Sequence, residues 1–409
     1  MNTFFREYFD YKSFGICLAL VAIGLVSIYS ATFDINNGTN FDKQVVWSLV
    51  GLVALIVAAF FPLKSIQRLA IPLYVITLAI LAFVLIVGKT TSGSKSWFGM
   101  GGLGWSFKLQ PSEFAKVVTV LAFAAFLSKT TVTISNMKHL ILGLAIFALP
   151  MGFVLAQPDL GTSVIFFGAM IPLLYWAGAS RFMFAAILTP ILVAFGALLG
   201  TTTFLIAVTL SAMLLYVTRE NYFAAALAFG ITLAVGLSVQ IMYERLPAYQ
   251  RNRIATFLDP GHDPLGAGYN VLQSKVAIGS GGFLGKGYMR GTQTQLNFIP
   301  EQWTDFIFCV PGEEFGVLGS TVVLGLFAGL LFHGIKVGGL SKSRFGSMAA
   351  IGITAILAMH VFINIGMSMG LIPVIGIPLP FLSYGGSSLV SNMIMVGLLM
   401  NVYANRKAY

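Results

Sequence analysis

Apolar stretches of bilayer-crossing length recur along almost the whole chain, and they constrain the fold more than any other feature. They lie near residues 14–32, 44–61, 70–88, 112–128, 139–156, 160–178, 182–199, 202–218, 222–241, 308–334, 348–370 and 386–404. A spanning helix needs about 20 mostly apolar residues. Hydrocarbon offers a peptide group no partner, so such segments fold as helices that satisfy their own backbone. The expected architecture is therefore an all-α polytopic membrane protein of about twelve spans, with residues 1–409 in a single domain. The run 182–218 is too long for one helix and barely long enough for two. Gly200-Thr201-Thr202-Thr203 is its turn, and a re-entrant hairpin is the alternative. Composition agrees, since only 9% of residues are charged against about 25% in soluble domains.

Those few charges orient the chain. The net charge of +10 would suggest a nucleic-acid partner in a soluble protein. Here no Lys/Arg-rich run exists to grip a phosphate backbone, so nucleic-acid binding is not expected. With the amino terminus inside, short inner segments hold Arg6, Lys12, Lys64, Arg68, Lys129, Lys138, Arg181, Arg219, Lys336, Lys342, Arg344, Arg406 and Lys407. Short outer segments hold only Lys43, Lys89, Lys95 and Lys108. By the positive-inside rule, both termini are expected in the cytoplasm and the long segment 242–307 outside. The first apolar run lacks a small-residue cleavage motif and reads as a retained helix. Cys17 and Cys309 read as small buried hydrophobes. The four histidines show no metal-ligand spacing.

Against this background the acidic residues on the outer side stand out. Trp303-Thr304-Asp305-Phe306 falls where the polar segment gives way to an apolar run, and an ionisable group at that boundary is a functional candidate by default. Asp305 reads either as the N-cap of the following long helix or as a general base. Trp303 reads as an interfacial anchor or a stacking surface for sugar. In Gln110-Pro111-Ser112-Glu113-Phe114-Ala115-Lys116, the proline and serine suit a helix start. Glu113 and Lys116 share a helix face at i, i+3, as a structural ion pair or as a phosphate contact. Asp159, after Gln157-Pro158, can cap the next helix. All these groups fall at one depth, which suggests a shared polar cavity. Pro373 to Ser388 carries too many prolines and glycines to be helical. Such backbone is tolerated at membrane depth only when buried in protein or lining a cavity, and the segment reads as a helix start with Ser387 as the cap or as a phosphate-cradling loop. The glycine-rich stretch 279–287 lacks the Walker A pattern, so ATP use is not expected.

The stretches KLQPSEFAK (108–116), AQPDLGTS (156–163), FLDPGHDPLGAGYNVLQSKVAIGSGGFLGKG (257–287), GTQTQLNFIPEQWTDFIF (291–308) and NIGMSMGLIPVIGIPLPFLSYGGSS (364–388) resemble the SEDS family (shape, elongation, division and sporulation). GTQTQL is closer to its elongation branch than to its division branch. The resemblance implies a SEDS-type helical bundle of ten spans, to which residues 182–241 would add about two. It also implies a peptidoglycan glycosyltransferase of the bacterial cytoplasmic membrane, which polymerises lipid II beside a class B penicillin-binding protein. By the same resemblance Asp305 matches the family's essential aspartate, Glu113 and Lys116 its cavity pair, and Asp159 the aspartate of QPDLG. Trp97, in SKSWFGMGG, approximates a tryptophan of the first outer loop.

The implied reaction is inverting transfer, with Asp305 deprotonating the acceptor hydroxyl. The charge developing on the pyrophosphate leaving group calls for a cation. Lys116, Arg251, Arg253 or a divalent ion (magnesium or manganese) are the candidates. Two rival readings remain from the sequence: a lipid II flippase, since broken helices and buried charges also suit transport, and a non-catalytic scaffold for a transpeptidase.

Overall fold

The computed structural model describes residues 8–36, 39–91, 94–102, 105–245, 267–296, 298–300 and 302–407. Helices occupy every expected apolar stretch. The first nine are α1 (Tyr11–Asn36), α2 (Thr39–Phe60), α3 (Leu63–Val87), α4 (Pro111–Leu127), α5 (Met137–Ala156), α6 (Leu160–Trp176), α7 (Arg181–Leu199), α8 (Thr201–Thr218) and α9 (Tyr222–Arg245). Three short helices follow: α10 (Ala267–Ser280), α11 (Thr292–Gln295) and α12 (Cys309–Glu314). The chain closes with α13 (Gly316–Leu340), α14 (Arg344–Ser368) and α15 (Gly386–Ala404). Ten of these are long and apolar enough to cross a membrane. The other two expected positions hold α4 and α6, of 17 residues each, near the lower limit for a span.

Local signals delimit the helices. The Asn136 side chain accepts from Lys138 N at α5, and Ser343 accepts from Gly346 N at α14. Pro111 opens α4 at a position that has no backbone donor to lose. Gly200, at φ +128°, makes the reversal between α7 and α8, where a side chain would be strained.

Packing then separates centre from edge. In α14, 83% of the most apolar window is buried, and in α15 78%, while α9 has 17%. A helix buried all round needs small residues where neighbours approach. A side chain at Gly352 of α14 would run into Val120 of α4 and Leu173 of α6. Around these two central helices pack α1, α2, α4, α6 and α13. The helices α7, α8 and α9 pack mainly on one another, around Val193, Ala197, Phe204 and Ala207.

Two expectations need correction. Residues 89–109 are more than an outer loop: β1 (Lys89–Thr91), β2 (Ser94–Gly102) and β3 (Trp105–Leu109) form an antiparallel sheet in the order β1-β2-β3, with Phe98 opposite Leu109. The expected span 308–334 is also displaced. Its helix is α13, beginning at Gly316, because Pro311-Gly312 and the positive φ of Gly316 (+63°) isolate α12 ahead of it. Glu313 and Glu314 thus precede the span.

Successive spans reverse direction. The end of α1, the starts of α2, α4 and α6, the end of α14 and the start of α15 therefore collect on the side opposite the start of α1 and the end of α15. The candidate site lies there.

Candidate active site

Non-helical backbone between α14 and α15 organises this end of the molecule, and several of its peptide groups are met by side chains. The Asn364 amide donates to Ile377 O at 2.7 Å and to Asp305 O at 2.8 Å. His360 Nδ1 donates to Pro378 O at 3.1 Å. Ser383 Oγ accepts from Leu379 N at 2.8 Å and donates to Thr304 O at 2.6 Å. Tyr384 N donates to Trp303 O at 2.8 Å. Gln44, from α2, closes the far end through Ser383 O and Gly385 N, both at 3.2 Å. Each such bond contributes about 1 kcal/mol net, but leaving a buried group unmet costs more. Phe381, buried in this segment, has φ +65°, a conformation costing about 1–3 kcal/mol for a side-chain-bearing residue. Gly24 of α1 makes room for the Phe381 carbonyl.

Asp305 sits half-buried in a turn across this segment. A Cβ at Gly376 would stand 3.4 Å from its Oδ2, so the bare glycine backbone faces the carboxylate. The N-cap reading of Asp305 is not what the structure shows. Phe308 precedes α12 and supplies no side-chain cap, and residues 302–308 form turns. The expected Ser387 cap is likewise replaced by Gly385, with Ser387 buried inside α15.

Glu113 and Lys116 form the expected pair, at 2.9 Å, with side chains only 4% and 1% exposed. Lys116 Nζ also lies 2.7 Å from His360 Nε2. Asp159 caps α6, accepting from Thr162 N at 3.0 Å and Thr162 Oγ1 at 2.8 Å. Gln110 donates to its Oδ2 at 3.0 Å, so the start of α4 is tied to the start of α6. Gly161 lets the Ile375 carbonyl approach α6 just beyond that cap. Segment 375–378 therefore touches the surroundings of all four expected ionisable residues. They meet through this strip of backbone; the Glu113–Lys116 pair is sealed away from solvent.

Trp303 packs half-buried against the core. Trp97 is half-buried on β2, opposite Lys89, in a separate element against α3 and α4. Arg251 and Arg253 lie outside the described residues. Among the described residues no three His, Cys, Asp or Glu side chains converge as metal ligands would. A groove of about 590 Å³, lined by Tyr11, Lys12, Phe332, His333 and Lys336 among others, lies about 25 Å along α13 from the Asp305 end and holds none of the expected site residues.

The glycine-rich stretch 279–287 has a structural task. Lys286 N and Gly287 N donate to the carbonyls of Glu313 and Glu314 at 3.0 Å, and Val317 N donates to Gly282 O at 2.9 Å. A side chain at Gly285 would collide with the Glu314 backbone. Glu313, fully buried, takes Gln293 N and Thr294 N at 2.9 Å and Lys286 Nζ at 2.7 Å. Burial pushes its carboxyl up, but these bonds outweigh burial and hold it below the ordinary range. Glu314 bonds Ser30 and Gln295, and burial leaves it raised. The turn bearing Asp305 is thus anchored on one side by this acid pair and on the other by α14.

Comparison with known proteins places this architecture. The model of the cell cycle protein family that includes FtsW, RodA and SpoVE matches residues 11–199 and 182–408. The chain belongs to the FtsW/RodA/SpoVE family. It is 34% identical over 403 residues to the peptidoglycan glycosyltransferase MrdB of Escherichia coli K12, covering 98% of this chain and 95% of that protein. It is 32% identical over 430 residues to the peptidoglycan glycosyltransferase RodA of Treponema pallidum, covering 97% and 98%. Among solved structures, a chain of a peptidoglycan synthase complex that coordinates polymerization and crosslinking superposes with a TM-score of 0.73 at 26% identity, covering 98% and 99%. Thermus thermophilus RodA shares the fold at a TM-score of 0.65 and 23% identity, covering 98% of each chain. For this FtsW/RodA/SpoVE protein, sequence reading did not single out His360, Asn364, Glu313 or Glu314. A histidine and an asparagine four apart in an apolar helix, and adjacent acids at the start of a span, were the signals available.

Proposed function

We infer that the chain is a peptidoglycan glycosyltransferase that polymerises lipid II at the outer face of the bacterial cytoplasmic membrane. It works there with a class B penicillin-binding protein and keeps both termini in the cytoplasm. The activity named for its full-length relatives supports the first part, and the solved synthase complex supports a crosslinking partner. The charge bias of the short loops supports the orientation.

The observation that carries the mechanism is the placement of Asp305. Its backbone is pinned by Asn364 while its carboxylate faces the bare backbone of Gly376. In the proposed reaction the carboxylate accepts the proton of the acceptor's sugar hydroxyl as that oxygen attacks the anomeric carbon of the donor. The carbon–oxygen bond to the pyrophosphate breaks, the configuration inverts, and undecaprenyl pyrophosphate departs with the bonding pair. A positioned base of this kind contributes about 10²–10⁴-fold. Lys116 is too well buried to meet the departing charge directly. Lys275 is exposed on α10, its ammonium beside Gly370 at the start of the broken segment, and can do so. The described side chains would not hold a divalent ion by themselves.

The deciding experiment mixes the purified protein and its transpeptidase partner with lipid II in detergent, where no leaflets exist. Glycan strands from the wild type and none from Asp305→Asn are the expected result. A wild type that makes no polymer under any condition returns the choice to a flippase or a scaffold.

A further inference from the structure

We propose that His360 and Asn364 are positioning residues for Asp305, and that the Glu113–Lys116 pair acts on the reaction through His360 instead of touching substrate. The proposal rests on the glycosyltransferase reading above. Proton placement follows from the partners alone. Pro378 O can only accept, so His360 Nδ1 carries a hydrogen. The atom facing Nε2 is the Lys116 ammonium, which can only donate, so Nε2 carries none. His360 is therefore neutral, with its proton on Nδ1, a tautomer selected by its neighbours.

The result is a buried strut running from Glu113 Oε1 through Lys116 Nζ and the imidazole to the Pro378 carbonyl. Asn364, one turn further along the same face of α14, holds Ile377 O and Asp305 O together with the two hydrogens of one amide. The strut and the amide fix consecutive carbonyls, those of Ile377 and Pro378, directly after the glycine that faces the carboxylate of Asp305. A phosphate contact would require Lys116 to leave both of its partners and its buried position. Supporting the segment requires no movement at all. The base is held in place from below by groups that never meet the sugar.

The test uses the full-length protein with its transpeptidase partner, assayed for polymerisation over a range of lipid II concentrations. His360→Leu should lower kcat by about 10²-fold, the scale of a misplaced reacting group, and leave KM within about twofold. His360→Gln can still donate to Pro378 O and accept from Lys116, so it should recover most of that loss. Lys116→Met combined with His360→Leu should be no worse than the poorer single variant, because residues that act as a unit are non-additive. Multiplying effects, or a Lys116→Met that raises KM at unchanged kcat, would overturn the proposal in favour of direct phosphate binding. Nitrogen NMR of the histidine-labelled wild type tests the geometry without any substitution that could misfold the chain. A neutral His360 protonated at Nδ1 is expected, and a doubly protonated or Nε2-protonated ring refutes the strut. If the wild type makes no polymer, the glycosyltransferase reading fails, while the NMR result still judges the strut.

Discussion

The helices α4, α14 and α15 and the bundle of α7, α8 and α9 are built from similarly apolar sequence, yet they differ in what they bury. The first group encloses Glu113, Lys116, His360, Asn364, Asn392 and Asn401. Among the described residues the second buries only small hydroxyls, such as Thr189 and Thr232 facing each other at 3.1 Å. It turns Leu205, Leu210, Met213, Phe223 and Ile231 outward. Met183, Phe184 and Ile187, early in α7, rest against the main core. Polar groups enter hydrocarbon depth only where protein surrounds them, because an unmet charge or amide there is costly. The difference teaches that polarity marks the working part of this membrane protein, while apolar length alone marks the part that faces lipid.

The strongest way to break this contrast is to unpair the buried charges. Lys116→Met leaves the Glu113 carboxylate stranded and should lower stability by about 3–5 kcal/mol, read as a fall in the denaturation midpoint in detergent. A loss below about 1 kcal/mol, the level of a solvent-exposed pair, would mean that water already reaches the pair and that the two regions do not differ as described.

A smaller effect separates the two neighbouring acids. Glu313 titrates below its ordinary value of 4.5, so its stabilisation is present above that value and lost as pH falls through the lowered one. Glu314 titrates above 4.5, so its contribution is present at low pH and declines as pH rises through the raised value. Glu313→Gln should cost about 1.5–3 kcal/mol near neutral pH, the scale of bonds to a charged group, and flatten the acid limb of Tm against pH. Glu314→Gln should flatten the opposite limb. Identical profiles for the two variants would contradict the assigned bonding.

The smallest expected effect on activity sharpens the comparison from the other side. A side chain at Gly236 of α9 would meet Val193 and Phe204, so Gly236→Val should overpack the α7–α9 bundle by about 1–3 kcal/mol. Polymerisation by the folded protein should stay within about twofold, as expected when a change is distant and additive. A large loss of kcat would tie these helices to the site.

Much of this was legible in one dimension, for identifiable reasons. The spans announced themselves because bilayer thickness converts directly into residue number. The Glu113–Lys116 pairing follows from helical geometry alone, as does the cap at Asp159. Asp305 drew notice as a carboxylate at a hydrophobic boundary. Its N-cap reading failed because Gly312 and Gly316 shift the long helix onward, and Glu313 turns back to residues 293–294. That reach depends on where two loops dock. The sheet at 89–109 escaped notice because its glycine-rich residues gain strand order only from pairing.

What the sequence determined by itself was the class of the molecule and the depth of its charges, since length, periodicity and charge bias act locally along the chain. Which of those charges work together was decided by tertiary structure. His360 and Asn364 look like two stray polar residues in an apolar run until the segment 373–385 folds back over them. That segment has no helix of its own to satisfy its carbonyls, so side chains of the preceding helix α14 do so. In meeting that need they set the position of Asp305.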